Sequence, residues 1–145
     1  MELYETFREL IRNLERKLGV LDEHQLSCCS ISLAQCHALV EIGREKTVSL
    51  VQLSDILELE KSTVSRTVEH LVKAGLVNRD TDSSNRRYIN ITLSEDGKKL
   101  FNNIEKTMNL RFMYLVQNIP KDKQDIVIDS LKTLIHSIQS SEAKF

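Results

Sequence analysis

Apolar residues recur at helical spacing over most of this chain, and the pattern predicts a mainly α-helical fold. The first stripe has apolar side chains three or four residues apart, opposite a charged face: Leu3, Phe7, Leu10, Leu14 and Leu18. Such a stripe is typical of an amphipathic helix, which we expect over residues 1–21. A polar connection over residues 22–32 leads to a second predicted helix, residues 33–44.

Two short helices are predicted in the middle of the chain. Ser49 and Gln52 have the spacing of a capping box, which satisfies free N–H groups at a helix start, so we expect a helix over residues 50–57. A second helix is expected over residues 61–74, and Gly75 suits a left-handed cap at its end. The apolar sides of both helices are predicted to face the core through Leu53, Ile56, Leu57, Val64, Val68, Leu71 and Val72.

Alternating side chains predict a small antiparallel sheet next to these helices. One strand begins at Leu76, and another covers residues 88–93, with its isoleucines and Leu93 on one face. Residues 47–50 are expected to add a third strand. The order of helix, turn, helix, strand, basic hairpin and strand predicts a winged helix-turn-helix, a mainly α fold with a small antiparallel β wing.

The C-terminal third of the chain predicts two more helices. Ser94 suits the N-cap of a helix that runs to about residue 118. Pro120 ends this helix, and a last helix is expected from Lys121 onward. Because no repeat, low-complexity run or long linker divides the sequence, we expect residues 1–145 to form one domain.

The polar face of the helix predicted at residues 61–74 carries groups that bind nucleic acid. Near its start lie short hydroxyls and long cations: Lys61, Ser62, Thr63, Ser65 and Arg66. A helix fits the major groove of B-DNA and points its first turn at the bases. We expect Arg66 to bind a base edge, Lys61 to bind a phosphate, and the hydroxyls to bind either. The alternative is a solvated polar face on a core helix.

Further DNA contacts are expected from the capping-box residues and from the hairpin. Ser49 and Gln52 lie at the start of the supporting helix, from which they can touch the DNA backbone. Arg86 and Arg87 fit a narrow minor groove, where the negative potential attracts arginine. For these arginines the alternative is a plain surface turn.

The segment KSTVSRTVEHLVKAGLVNRDTDSSNRR, followed by ITLSEDG, resembles the DNA-binding core of MarR-type transcriptional regulators. The similar parts are the S-T-V-S-R helix start, the L-x-x-x-G-L-V exit, the D-x-x-[DN]-x-R wing and the L-[ST]-x-x-G after it. At Asn85 the chain departs from the family, which usually has an aspartate there that would orient Arg87. The resemblance implies a sequence-specific, homodimeric transcriptional repressor that a small effector releases from a pseudo-palindromic double-stranded operator.

The resemblance also implies that both ends of the chain serve dimerisation. The DNA-binding core would cover about residues 33–93, flanked by dimerisation helices over about residues 1–21 and 94–145. The expected interface comprises Leu3, Phe7, Leu10, Leu14, Ile128, Leu131 and Ile135. Packing of these side chains within one chain is the alternative.

Charge is distributed unevenly along the chain, although the formal net charge is only −1. Residues 61–87 contain six Lys/Arg against three Asp/Glu, a local +3, whereas residues 1–60 contain six against eleven, a local −5. A basic segment on a near-neutral body suits selective and reversible DNA binding. No apolar run approaches the roughly 18 residues of a membrane span, and a signal-peptide core is absent, so we expect a cytoplasmic protein without a membrane partner.

The three cysteines are expected to be reduced thiols, because the sequence has no secretory features. Cys28, Cys29 and Cys36 flank the start of the second helix, where a stabilised thiolate can sense an oxidant or a soft metal. Their spacing matches no zinc signature, and free cysteine is often simply buried, so a structural role stays open and no metal or cofactor is predicted. A small aromatic or apolar effector in a pocket between helices is the rival sensing hypothesis.

The sequence offers little support for catalysis. Cys36 and His37 are adjacent on a predicted helix, where neighbours project about 100° apart and rarely reach each other. No phosphate-binding glycine loop, G-x-S-x-G or H-E-x-x-H occurs. We therefore expect no enzyme. A winged helix that contacts only proteins, without binding DNA, remains an alternative.

Overall fold

The computed structural model describes residues 2–26, 30–81 and 89–142, which form helices and a small sheet. In chain order the elements are α1 (Leu3–Leu26), α2 (Leu33–Glu45), β1 (Val48–Ser49), α3 (Leu50–Leu57), α4 (Lys61–Lys73), β2 (Val77–Thr81), β3 (Ile89–Leu93), α5 (Glu95–Gln117), a 3-10 helix (Lys121–Lys123) and α6 (Gln124–Ser141). The predicted class, mainly α with a small antiparallel sheet, is confirmed. The chain divides into two compact units, Met1–Ile104 and Glu105–Phe145, with the boundary inside α5.

The first helix is longer than its apolar pattern predicts. α1 passes Gly19 and ends at Leu26, so the connection predicted from residue 22 is wrong over its first residues. A single glycine in an exposed helix costs only about 1 kcal/mol relative to alanine, and good helix formers on either side offset that cost.

Capping boxes fix the starts of α2 and α3. At α3, Ser49 Oγ accepts from Gln52 N at 3.1 Å, and Gln52 Oε1 accepts from Ser49 N at 2.9 Å. The predicted box and the predicted helix Leu50–Leu57 are therefore confirmed. Ser32 and Gln35 make the same two bonds at the start of α2, at 3.2 and 3.1 Å. This second box was not predicted, although its spacing is identical.

Helices α2, α3 and α4 share one core with the sheet. Its largest fully buried side chains are Leu39, Ile42, Val48, Leu53, Val64, Val68, Leu71 and Ile91. Ile56 and Val72 were expected inside but are 40% and 37% exposed, so this part of the prediction is wrong. Each lies at the edge of its apolar stripe, where the helix has turned away from its packing neighbours.

The described strands form an antiparallel sheet in the order β1-β3-β2. Val48 pairs with Ile91, and Val77 pairs with Leu93. All four side chains are buried, so the sheet turns one apolar face toward the helices. The third strand predicted before α3 is confirmed by the pairing of β1 with β3.

A glycine-rich joint connects α4, β2 and the start of α5. Gly75 has φ +76, the left-handed conformation predicted for the end of α4. At Gly97 a Cβ would collide with the carbonyl of Leu76, so only glycine allows α5 to approach this closely. Ser94 Oγ accepts from Gly97 N at 3.0 Å and donates to Gly75 O at 2.7 Å. Ser94 is thus the N-cap of α5, as predicted.

The unit Glu105–Phe145 contains the second half of α5, the 3-10 helix and α6. Pro120 follows α5, and the Gln124 side-chain amide donates to the carbonyls of Val116 and Ile119 at 3.2 and 3.1 Å. These bonds satisfy carbonyl groups at and just beyond the end of α5. The last helix begins near Lys121, as predicted, although its first turn is 3-10 and α6 itself begins at Gln124.

Candidate nucleic-acid interface

α4 separates a buried apolar face from an exposed polar face. Val64, Val68 and Leu71 are fully buried and hold the helix on the core. The predicted DNA-binding residues lie on the other sides of the same helix. Lys61, Ser62 and Arg66 are exposed, whereas Thr63 and Ser65 are half-buried at the margin of the core face. A rigidly packed helix therefore presents all five side chains near its first two turns.

The N-terminus of α4 carries no side-chain cap. Glu60 is the N-cap residue, and its side chain makes no capping hydrogen bond. The first N–H groups of a helix otherwise lack partners inside the helix, and the helix dipole makes this end positive. Together with the exposed Lys61, this end is suited to an anionic group such as a DNA phosphate.

Ser49 and Gln52 have a structural role in the capping box of α3. Ser49 Oγ and Gln52 Oε1 both act there as acceptors. The hydroxyl of Ser49 and the side-chain amide of Gln52 can still donate hydrogen bonds to a phosphate. Gln52 is exposed and Ser49 is half-buried, so both can reach a surface ligand without dismantling the box.

Arg79 joins this site, although it was not among the predicted DNA-binding residues. It lies on β2, and its Nη2 donates to Ser65 Oγ on α4 at 3.4 Å. The available signal was strand alternation, because Arg79 follows the buried Val77 by two residues and so shares its face. A cation thus lies between the wing strands and the polar face of α4.

The wing arginines predicted to enter the minor groove, Arg86 and Arg87, lie outside the described residues. The strands that lead to them pair with each other in an antiparallel register. Asp80 pairs with Asn90, and Thr81 pairs with Ile89, at the ends of β2 and β3.

Of the three cysteines, the structure describes Cys36. Cys36 is 6% exposed and lies among the core residues of α2, whereas Cys28 and Cys29 lie outside the described residues. Within residues 2–26, 30–81 and 89–142, no group of three or more His, Cys, Asp or Glu side chains is arranged to hold a metal ion. The site that the described residues do build is therefore the polar face of α4.

A cleft of about 720 Å³ lies in the unit Met1–Ile104. We call it the wing cleft. It is lined by Gly43, Lys46, Asn78, Thr92, Leu93, Glu95, Lys98, Phe101 and Asn102. Lys46 has φ 67 and ψ −52, and Thr47 N donates to Glu45 O at 2.8 Å across it. This is a γ-turn with a non-glycine residue at its centre, a rare and strained conformation.

Large apolar side chains are exposed on the terminal helices. On α1 the exposed fractions of Leu3, Phe7, Leu10 and Leu14 range from 40% to 85%. On α6, Ile128, Leu131 and Ile135 are 42% to 55% exposed. These are the residues predicted for dimerisation, and in a single chain they leave apolar stripes open to water. Among the described helices, none is long and apolar enough to cross a membrane.

Helix α3, the turn after it, helix α4 and the strands β2 and β3 together define a winged helix-turn-helix protein. Residues 31–89 match the model of the MarR family. This segment contains the complete helix-turn-helix. Over this segment the chain is similar to the MarR family of winged helix-turn-helix regulators.

Solved structures share this fold over nearly their whole length. The DNA complex of FabT from Streptococcus pneumoniae is 18% identical, with a TM-score of 0.88 over 94% of this chain and 98% of that chain. A MarR transcriptional regulator from Methanosarcina mazei Go1 is 25% identical, with a TM-score of 0.77 over 94% and 98%. A cysteine-to-serine mutant of MarR from E. coli, complexed with operator DNA, is 21% identical, with a TM-score of 0.77 over 92% and 99%.

Proposed function

We propose that this chain is a sequence-specific, DNA-binding transcriptional regulator whose helix α4 enters the major groove. The observation that carries the proposal is the polar side of α4, where cations and hydroxyls are exposed or half-buried at the surface while three fully buried apolar residues hold the helix on the core. A free helix N-terminus at Lys61 and a guanidinium at Arg79 add positive groups around this row. Two of the similar solved structures are DNA complexes by their own descriptions, which supports the same use of the fold.

A gel-shift series with the DNA that lies upstream of the gene encoding this chain tests this function. We expect a discrete complex whose affinity falls steeply as salt increases, because bound lysines and arginines release counterions from the phosphates. An unrelated duplex of equal length should bind far more weakly. Equal binding to both duplexes would leave only non-specific attraction, and no binding at low salt would favour the alternative of a winged helix that contacts proteins.

We further propose that the regulator is a homodimer. The exposed apolar stripes of α1 and α6 support this, since each is expected to find a partner surface and a second copy offers the same stripes. In a two-fold dimer, two α4 helices would meet a pseudo-palindromic operator. Repression would then follow from occupying a promoter, and we propose that a small effector lowers the affinity for DNA.

The wing cleft is the site that we propose for this effector. Its volume of about 720 Å³ suits a small molecule, and Asn78 and Thr92 bring β2 and β3 into its wall. An occupant that binds the DNA-free conformation more tightly would shift the equilibrium away from DNA. Gly43 and Lys46 place the cleft at the C-terminal end of α2.

Lys46→Gly offers a direct test of the effector proposal. Glycine accepts the positive φ of residue 46 without strain, so the fold should be retained while the ammonium group is lost. We expect benzoate, as a small aromatic acid, to raise the melting temperature of the wild type but not of this variant. An equal response in both proteins would exclude Lys46 from the site.

The rival proposal, a thiol or soft-metal sensor at Cys28 and Cys29, has a separate test. The double variant Cys28→Ser, Cys29→Ser should lose any response of DNA binding to peroxide or to a soft metal if these thiols act as the sensor. A preserved response would exclude both residues. The burial of Cys36 makes its thiol a poor first target for an oxidant in solution. We propose no catalytic role for this chain.

A further inference from the structure

Arg79 occupies a sheet position at which an apolar residue is expected. β2 is an edge strand, and residues that share a face alternate along it. Arg79 lies directly opposite Ile91 and two residues after Val77, which are 0% and 3% exposed. Its side chain therefore leaves the strand on the face that packs against the helices, yet Arg79 itself is exposed. The aliphatic stem must follow the edge of the core and carry the guanidinium out beside α4.

The guanidinium of Arg79 lies next to the hydroxyl of Ser65, at the margin between the core face and the polar face of α4. Nη2 donates to Oγ at 3.4 Å. Because this bond is long and lies at the protein surface, it contributes little to the stability of the free protein. The bond does orient the Arg79 guanidinium and the Ser65 hydroxyl relative to each other, because β2 anchors the first group and α4 anchors the second.

The bond leaves both partners with donors for a further ligand. A hydroxyl that accepts a hydrogen bond from a guanidinium turns its own proton toward a different acceptor. The bond also uses one of five guanidinium donors. Within the part of the chain that the structure describes, no carboxylate forms an ion pair with Arg79. An anionic oxygen at this margin can therefore bind the guanidinium in the bidentate geometry that phosphates favour.

We propose that Arg79 binds a DNA backbone phosphate and positions Ser65 as a hydrogen-bond donor toward the DNA. The inference rests on the proposed function and adds to it a residue and a direction of hydrogen bonding. A phosphate bound at Arg79 fixes the distance of the wing strands and of α4 from the same strand of the duplex. Ser65 then offers its proton to a base-edge acceptor or to a neighbouring phosphate, whereas in other orientations it would act as an acceptor.

A set of five variants tests both parts, measured by fluorescence anisotropy on a duplex that the wild type selects: Arg79→Ala, Arg79→Lys, Ser65→Ala and the two double variants that combine Ser65→Ala with each Arg79 change. Arg79→Ala should weaken binding roughly tenfold and reduce the slope of log affinity against log salt by about one, as the loss of one phosphate contact requires. Ser65→Ala should weaken binding in the wild type but have much less effect when Arg79 is already alanine. Arg79→Lys should keep most of the salt slope, because the charge remains, but lose the coupling to Ser65.

The matched control is Lys73→Ala, which removes one positive charge from the other end of the same helix. Lys73 Nζ is ion-paired with Glu69 at 3.5 Å in the last turn of α4 and should not reach the DNA. We expect its affinity and salt slope to equal those of the wild type. Thermal unfolding identifies variants that fold, and Arg79→Gln, which keeps part of the stem, replaces Arg79→Ala if the alanine variant does not.

The outcomes separate this inference from the proposed function. If the wild type selects no duplex, the proposed function fails. If the wild type binds and Arg79→Ala, or Arg79→Gln in its place, behaves like Lys73→Ala, the phosphate contact is wrong. Additive effects of Ser65→Ala and the Arg79 variant would overturn the positioning role alone.

Discussion

Arg66 and Lys61 are both exposed on α4, but different consequences are expected from losing them. Arg66 projects from the second turn of a helix whose opposite side is fully buried. Lys61 is the first residue of that helix, beside N–H groups that Glu60 does not cap. The guanidinium of Arg66 can bind a guanine edge in a bidentate manner, whereas the ammonium of Lys61 acts mainly as a point charge for phosphate.

We therefore predict that Arg66→Ala reduces specific affinity by about 1–3 kcal/mol and relaxes selectivity at one base position per half-site. Lys61→Ala should instead weaken binding to all sequences and lower the salt slope by about one. Competition binding with single-base operator variants, repeated at several salt concentrations, measures both effects. Unchanged affinity and sequence preference in Arg66→Ala would remove this helix from the groove.

At the scale of elements, the sequence predicts helix boundaries well, because their signals are local, and predicts contacts between distant residues poorly. The capping box of Ser49 and Gln52 locates α3 to the residue, and Gly75 correctly marks the end of α4. These signals act within a few residues of chain. Arg79 was missed because its significance comes from Ser65, fourteen positions earlier in sequence and on another element. Ile56 was wrongly placed in the core because periodicity shows which side of a helix is apolar but not how much of that side the packed elements cover.

Two glycines give a matched prediction about stability. Gly75→Ala should destabilise the fold by about 1–2 kcal/mol, because φ +76 is unfavourable for a residue with a Cβ. Gly19→Ala should stabilise it by roughly 0.5–1 kcal/mol, because residue 19 is helical and nothing lies within 4 Å of the added Cβ. Denaturant unfolding at one fixed protein concentration measures both values. Equal effects of the same sign would contradict this account of the joint after α4.

At the scale of the whole molecule, the proposed dimer depends on contacts that a single chain cannot contain. The apolar pattern of α1 predicts an amphipathic helix, and the structure leaves its stripe exposed, with Leu3 at 85% and Leu10 at 62%. Periodicity cannot distinguish a stripe that faces its own core from one that faces a second copy. The site could be predicted further than the interface, since the hydroxyls and cations of α4 are adjacent in sequence.

Leu10→Glu should convert the protein to monomers or insoluble chains and abolish specific DNA binding, because a charge in an apolar interface is left without a partner. Arg16→Glu introduces the same side chain on the charged face of α1 and should leave the dimer intact. Sedimentation equilibrium, followed by DNA binding on the same samples, checks both variants. A soluble Leu10→Glu monomer with full activity would overturn the dimer.

The central claim is that two α4 helices bind specific bases in successive major-groove faces. In vitro selection of duplexes from a random pool, with the full-length chain, tests it most directly. The account predicts enrichment of a pseudo-palindrome whose half-sites are centred about 10 bp apart, one helical turn of DNA. A pool that shows no enriched sequence after repeated rounds, or a single half-site without two-fold symmetry, would contradict it.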